Sequence, residues 1–595
     1  MNIESLRFDL VSLSNAYRQG LNPRDLLKEV HRRIALSEDN PIWIHLLDER
    51  ALSRYIERLE VSDVSALPLY GVPFAIKDNI DLEGVPTTAA CPAFSYEPER
   101  SSFVVQRLIT AGALPIGKTN LDQLATGLVG TRSPFGAVMN SFDSELISGG
   151  SSSGSAVAVA LGQVCFSLGT DTAGSGRVPA ALNNLVGYKP TCGIVSCTGV
   201  VPACRTLDSI SLFTNQVSDA QSVAKYLIGF DSADAYSKPY VTRPITPRQV
   251  RIGVPAEANL CFFGNDEYAH LFSESVKQVA HQFDVVTVDV SCQLEAAKLL
   301  YEGAWVAERY HAAKTLIEDN PGELRQEFLK VVSPAMDKTA VDYFDAAYRL
   351  AGFRRDTEAL FEEIDVLLLP TVGSHFSLSE VCEEPIARNT DNGYYTNFVN
   401  LLDLAAVAIP AGFTAAGLPF GVSLIGDRMT DARLMKVARD LLVKQKERQF
   451  GASGELMTEP LLLPDAQETM PIAVCGAHLS SMPLNGQLLE RGAQLREATT
   501  TAPSYRLYAL SGGPPKRPGM VRCENGVVIE VEVWDVPVVH IGSFLAGIPA
   551  PLGLGKVELA SGEWVSGFIC EPCGIKDAED VSGFGGWRGY IQSIA

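Results

Sequence analysis

Three residues set in small-residue sequence could move a proton and attack a carbonyl. Lys77 lies in GVPFAIKDN, Ser151 in ISGGSSSGSA and Ser175 in GTDTAGSGRVPA. A serine hydroxyl attacks an amide carbonyl only when something takes its proton. Histidine is the usual acceptor, and none lies in these three segments. A neutral lysine can serve, and burial away from water drives an ammonium towards the neutral form. Lys77 follows the apolar run VPFAI, which reads as a strand able to bury it. A second serine between lysine and nucleophile would relay the proton. Ser151 opens a small-residue segment that runs into a helix expected at 155–161, whose N-terminus offers N–H groups and a favourable dipole. Ser175 would be the nucleophile. The N–H groups of Thr172, Ala173 and Gly174 precede it in a glycine-bearing turn, and such donors can form an oxyanion hole worth about 3–4 kcal/mol each. The set points to an amide hydrolase that needs no metal and no cofactor.

The elements around these residues read as alternating short apolar runs and helices. From Leu69 onward, GVPFAI, ALPIG and CFSLGT alternate with helices expected at 102–111 and 155–161. That alternation argues for an α/β fold, a sheet with helices on both faces. Before it, 6–59 reads as helices throughout, from apolar residues at helical spacing. Further helices are expected at 219–228, 266–283, 295–317, 342–364 and 431–449, with strands at VLLLPTV (366–372) and near Gly426. The stretch 451–471 is rich in Gly and Pro and reads as a linker. The expected domains are 1–455, a linker at 456–470, and an α+β domain at 471–595, where VVIEVEVWDVP alternates apolar and acidic residues as a half-buried strand does.

Composition narrows the classes. The chain has 595 residues, too many for one core. A net charge of -21 would repel a phosphate backbone, so nucleic-acid binding is not expected. The N-terminus lacks the basic and apolar runs of a signal peptide, and no apolar run has the length of a membrane span. Twelve scattered cysteines fit reduced thiols in a cytoplasmic protein. Gly112–Thr119 matches the G-x-x-x-x-G-K-T phosphate-loop pattern, but a helix precedes it and ALPIG itself reads as a strand, the wrong context for that loop. Cys570-x-x-Cys573 is a lone pair, too little for zinc.

These segments resemble the amidase signature family: the lysine after GVPFAI, the GGSSSGS block, and DTAGSGRVPA leading to GYKPT. The resemblance is strong over 69–212 and general over 1–450. It implies an α/β/α sandwich with a mixed sheet and a Ser–cis-Ser–Lys triad: Lys77 the base, Ser151 the cis-serine bridge, Ser175 the acyl nucleophile, with Asp171 and Arg177 as flanking structural polar residues. Family members often carry glycine where this chain has Ala173 and a larger apolar residue where it has Gly176. NLDQLATGLVGTRSPFG and LLYEGAWVAERY further resemble allophanate hydrolases. Allophanate is urea carrying a carboxylate, and arginine would hold that carboxylate bidentately. The resemblance assigns Arg309 and Tyr301 to substrate binding, spaced two helical turns apart, with Thr126 and Gly127 facing the amide; spacing alone also allows Arg309 to pair with Glu302 or Glu308 on a solvated helix. VCGAHLSSMPLNGQL, GGPPKRPGM and DVSGFGGWRGYI resemble the C-terminal domain of full-length allophanate hydrolases, similar in fold to γ-glutamyl cyclotransferases. There His478 is the candidate proton handler, with a structural role the alternative, and Asn485, Arg517 and Arg588 are candidate anion ligands. The resemblance also implies a homodimer and a functional link to a biotin-dependent urea carboxylase. The alternatives are an amidase for another small amide, an amidase subunit of a transamidation complex, or an inactive scaffold.

Overall fold

The computed structural model describes residues 3–241, 250–445, 448–457, 469–491 and 493–594. The chain divides into two compact units, Met1–Leu463 and Pro464–Ala595. Of the expected linker at 456–470, residues 458–468 lie outside the described residues.

The first unit is built on an eleven-stranded mixed sheet. Its order is Trp43–Leu46, Leu114–Thr119, Pro73–Lys77, Phe166–Asp171, Ser209–Thr214, Val186–Lys189, Ala405–Phe413, Pro419–Gly426, Val366–Pro370, Arg251–Pro255 and Asp284–Val288. Pro73–Lys77 runs parallel to both neighbours, and Phe166–Asp171 runs antiparallel to Ser209–Thr214. The central strands are fully buried and mostly apolar, as helices covering each side require, with polar residues at the ends that carry Lys77 and Asp171. Ser153–Ala160 packs on the strands that carry Lys77 and Asp171, whereas Val217–Leu227 packs with Phe103–Thr110 and Asp431–Leu442. Ser102 caps Phe103–Thr110 by accepting from the Val105 N–H.

Three expected elements differ. Within 6–59, helices form at Leu10–Arg18, Pro23–Ala35 and Glu49–Glu60, but Trp43–Leu46 is an edge strand. Four residues are too few for a period to register, and pairing with Leu114–Thr119 imposes the strand. The long helix at 295–317 is three shorter ones, Ser291–Lys298, Trp305–Ala312 and Lys314–Asp319. The first break folds as a tight turn in which the Glu302 and Gly303 N–H groups donate to Lys298 and Leu299 carbonyls. The helix expected at 431–449 stops at Leu442, and Arg448–Gln449 pairs instead with Leu456–Met457. The GKT sequence lies in the strand Leu114–Thr119, with Lys118 fully buried 3.1 Å from Asp78.

The second unit has a five-stranded sheet, ordered Gln494–Thr500, Glu530–Pro537, Thr469–Val474, Trp564–Cys570 and Leu552–Glu558. A three-stranded sheet of Arg517–Arg522, Tyr505–Leu510 and Glu579–Asp580 accompanies it, with its own apolar core around Ile472, Val533 and Trp587.

Candidate active site

Lys77 ends its strand with no exposed surface. Its Nζ lies 2.7 Å from Ser151 Oγ and 2.8 Å from Thr170 Oγ1. Ser151 Oγ donates to Ser175 Oγ at 3.0 Å, so the three residues form one continuous proton path. The Gly150–Ser151 peptide is cis. Burial pushes the Lys77 ammonium down to about 7, against the opposing fields of Asp122, Asp171 and Asp208. A lysine so placed is a usable base near neutral pH.

Ser175 sits in the loop between Phe166–Asp171 and the helix Val178–Leu182. Asp171 and Arg177 fix that loop from below. Arg177 Nε and Nη2 donate to the two Asp171 oxygens at 2.9 and 3.0 Å, and the Gly176 N–H donates to Oδ2 at 3.0 Å. Burial raises the Asp171 carboxyl, but Arg177 outweighs it and holds the group below its ordinary value. Among the described residues none accepts from the N–H groups of Thr172, Ala173, Gly174 or Ser175. Four donors beside a buried hydroxyl have the character of an oxyanion site. Gly174 has φ +150°, and a Cβ there would stand 2.7 Å from Thr396 Cβ. At Gly176 a Cβ would stand 2.7 Å from Ser211 Oγ, so the larger residue common in the family has no room here.

Facing Ser175 is the loop after Leu121, joined to the Ala89–Ala90 turn, whose Ala89 carbonyl accepts from the Leu124 N–H at 2.9 Å. Ala89, Ala90, Leu124 and Ala125 all take left-handed backbone, with φ of 49, 54, 52 and 52°. Such non-glycine conformations are uncommon and gather where surrounding structure enforces a shape. Asp122 holds the following turn by accepting from the Val129, Gly130 and Arg132 N–H groups. Gly127 O faces Ser175 Oγ at 3.5 Å. Arg309, 2 % exposed, donates from Nη1 to Thr126 Oγ1 at 3.2 Å, and its buried Nε has no partner. Its guanidinium lies 5.2 Å from the Tyr301 ring centre. Arg309 is therefore not on a solvated helix: Glu308 binds Thr206 instead. Tyr301 and Arg309 meet, but not as two turns of one helix, because Tyr301 lies in the turn before Trp305–Ala312.

In the second unit, His478 stacks on Phe568 with ring centres 5.2 Å apart and meets Phe544 edge-on at 5.3 Å. Its Nε2 lies 3.1 Å from Gln487 Oε1, and burial lowers its pKa. These side chains and Arg517 line a cavity of about 410 Å³. Two expected anion ligands are committed elsewhere. Asn485 Nδ2 donates to His478 O, and Arg588 is held by Glu530 and Glu532, both at 2.6 Å.

Asp122, Thr170, Asp208 and Asn400 escaped sequence reasoning. Asp208 and Asn400 reach the site from segments outside the three motifs, whereas Thr170 and Asp122 lie inside segments already singled out, and no local pattern marks the role of any of the four. Asp208 accepts from Thr172 Oγ1 at 2.5 Å, and Asn400 Nδ2 donates to Asp171 O at 2.8 Å.

The amidase family profile matches residues 25–435, and the allophanate hydrolase C-terminal domain profile matches residues 470–592. Urea amidolyase of Saccharomyces cerevisiae is 43% identical over 93% of this chain, and the match spans 31% of that protein. The chain thus spans under a third of the length of that relative. The solved allophanate hydrolase of Kluyveromyces lactis is 41% identical with a TM-score of 0.74, covering 99% of each chain. The solved urea amidolyase of the same organism matches with the same identity and TM-score over 99% of this chain and 37% of that one. The chain belongs to the amidase family, an amidohydrolase with an amidase part at 25–435 followed by an allophanate hydrolase C-terminal domain at 470–592.

Proposed function

We propose that the chain hydrolyses the terminal amide of allophanate. The observation that carries this reading is the buried cation of Arg309, with an unpartnered Nε, held to Thr126 next to the Gly127 carbonyl that faces Ser175. A neutral amide offers such a cation no counter-charge, whereas a small carboxylate would satisfy it with charge-assisted hydrogen bonds. Tyr301 would flank the same carboxylate.

In this mechanism neutral Lys77 takes the Ser151 proton as Ser151 takes that of Ser175. Ser175 Oγ bonds to the amide carbon, and the oxygen's charge falls among the N–H groups of Thr172, Ala173, Gly174 and Ser175. The proton returns from Lys77 through Ser151 to the amide nitrogen, the C–N bond breaks, and ammonia leaves. Water then attacks the acyl-enzyme by the same relay and releases N-carboxycarbamate. That product loses carbon dioxide to give carbamate, which breaks down to ammonia and a second carbon dioxide. His478, in its cavity with Arg517, is the group we assign to proton handling in that decarboxylation.

The urea amidolyase relatives support a functional link to a biotin-dependent urea carboxylase as the source of allophanate. A cytoplasmic location fits twelve unpaired thiols. A homodimer fits an apolar surface at Met336, Val341, Phe344 and Tyr348, of which Met336 is 69% and Tyr348 70% exposed.

The test compares wild type and Arg309→Ala on allophanate, malonamate and a neutral amide. The variant is expected to raise KM for the two anions and leave the neutral amide unchanged. Equal kinetics on all three would remove Arg309 from substrate binding.

A further inference from the structure

The turn at 203–208 touches both halves of the site. At one end Asp208, 8 % exposed, gathers hydrogen bonds on both oxygens. Oδ1 accepts from Thr172 Oγ1 at 2.5 Å and from the Cys204 N–H at 3.1 Å, and Oδ2 accepts from the Ala203 N–H at 2.9 Å. Thr172 carries the first of the free N–H groups before Ser175. At the other end the Thr206 N–H and Oγ1 donate to the two Glu308 oxygens at 2.8 and 2.7 Å. Glu308 precedes Arg309 on Trp305–Ala312. Between them, Asn400 Nδ2 donates to Leu207 O at 2.9 Å and to Asp171 O at 2.8 Å, tying the turn to the base of the nucleophile loop.

Thr172 Oγ1 has no other hydrogen-bond partner among the described residues, so Asp208 alone fixes its side chain. Burial pushes the Asp208 carboxyl up to about 6, while hydrogen bonds from Thr172, Cys204 and Ala203 and the Arg309 cation oppose the rise. Above that pH the group is an acceptor only, as the Thr172 hydroxyl and two N–H groups require.

We propose that Asp208 and Glu308 are positioning residues, and that the 203–208 turn links the seat of the substrate's anionic end at Arg309 to the N–H groups beside Ser175. The inference rests on the roles given above to Ser175 and Arg309. A helix that settles when an anion binds Arg309 pulls on the turn through Glu308, and the turn holds Thr172 through Asp208. Oxyanion donors act only when their geometry is held, so loosening this tie lowers kcat rather than binding.

The test uses the full chain with Asp208→Asn, Thr172→Val, their double variant, and Glu308→Gln. Steady-state kinetics on allophanate and on propanamide are paired with the rate at which a fluorophosphonate labels Ser175. Asp208→Asn and Thr172→Val are each expected to lower kcat about a hundredfold with KM little changed, as for a displaced catalytic loop. The double variant is expected to be no worse than Asp208→Asn, since the Thr172–Asp208 contact that Thr172→Val removes is already lost in Asp208→Asn. Glu308→Gln is expected to slow allophanate more than propanamide. Labelling of Ser175 does not depend on the natural substrate. Slower labelling in both single variants therefore supports the Asp208–Thr172 tie even if allophanate is not turned over. A kcat within about threefold of wild type in Thr172→Val, which removes a single hydroxyl, would overturn the proposal, as would additive losses in the double variant.

Discussion

Lys77 and His478 are each a titratable group pushed by burial towards its neutral form, and they sit in contrasting surroundings. Lys77 is wired: each hydrogen-bond partner of its Nζ among the described residues is a hydroxyl on a fixed element, and the path ends on the Ser175 hydroxyl 3.0 Å beyond Ser151. His478 is walled: one amide and two aromatic rings hold it beside an open cavity, and no serine or cysteine side chain hydrogen-bonds to it among the described residues. The first arrangement suits covalent catalysis, where a proton must shuttle between fixed atoms. The second suits a small molecule that arrives, exchanges a proton and leaves.

Removing the nucleophile breaks the comparison most severely. Ser175→Ala is expected to lose roughly 10⁴-fold or more in kcat for ammonia release. His478→Ala should leave the first ammonia at nearly the wild-type rate. A comparable loss in both variants would mean that the two units do not divide the chemistry as described.

The pH profile sharpens the contrast. Lys77 must be neutral to act, and its pKa is lowered to about 7, so kcat/KM should rise with pH through that value and then level. The limb should be absent from the Ser175 labelling of a Lys77→Met variant. It should be unmoved by His478→Ala. A limb that shifts with His478 would transfer the base role to the second unit.

Arg309→Ala is expected to raise KM for allophanate by about ten- to a hundredfold, the scale of a charge-assisted hydrogen bond. His478→Gln carries the smallest expected effect. It should slow carbon dioxide release relative to the first ammonia by about tenfold at mildly alkaline pH, read by following both products together.

The residues proposed as catalytic stood out in the sequence because small residues surround them for a visible reason. Gly174 and Gly176 stand where a side chain would strike Thr396 or Ser211, and that crowding leaves a mark in the sequence beside Ser175. The strand Val366–Pro370 was equally legible, since burial on both faces makes it an uninterrupted apolar run. Asp208 and Asn400 were hidden for the opposite reason. An Asp before a strand is ordinary, and only the fold brings it to Thr172, 36 positions away. Trp43–Leu46 was hidden because its partner strand, rather than its own pattern, makes it extended. Arg309 was ambiguous by spacing, and the turn that breaks its helix from Tyr301 decides where it points.

The most direct measurement is ammonia release from allophanate, with malonamate and simple amides alongside, for wild type and Ser175→Ala. The account expects rapid release from allophanate that disappears in the variant. Silence on allophanate with turnover of neutral amides would contradict the Arg309 assignment, and full activity in Ser175→Ala would contradict the relay itself.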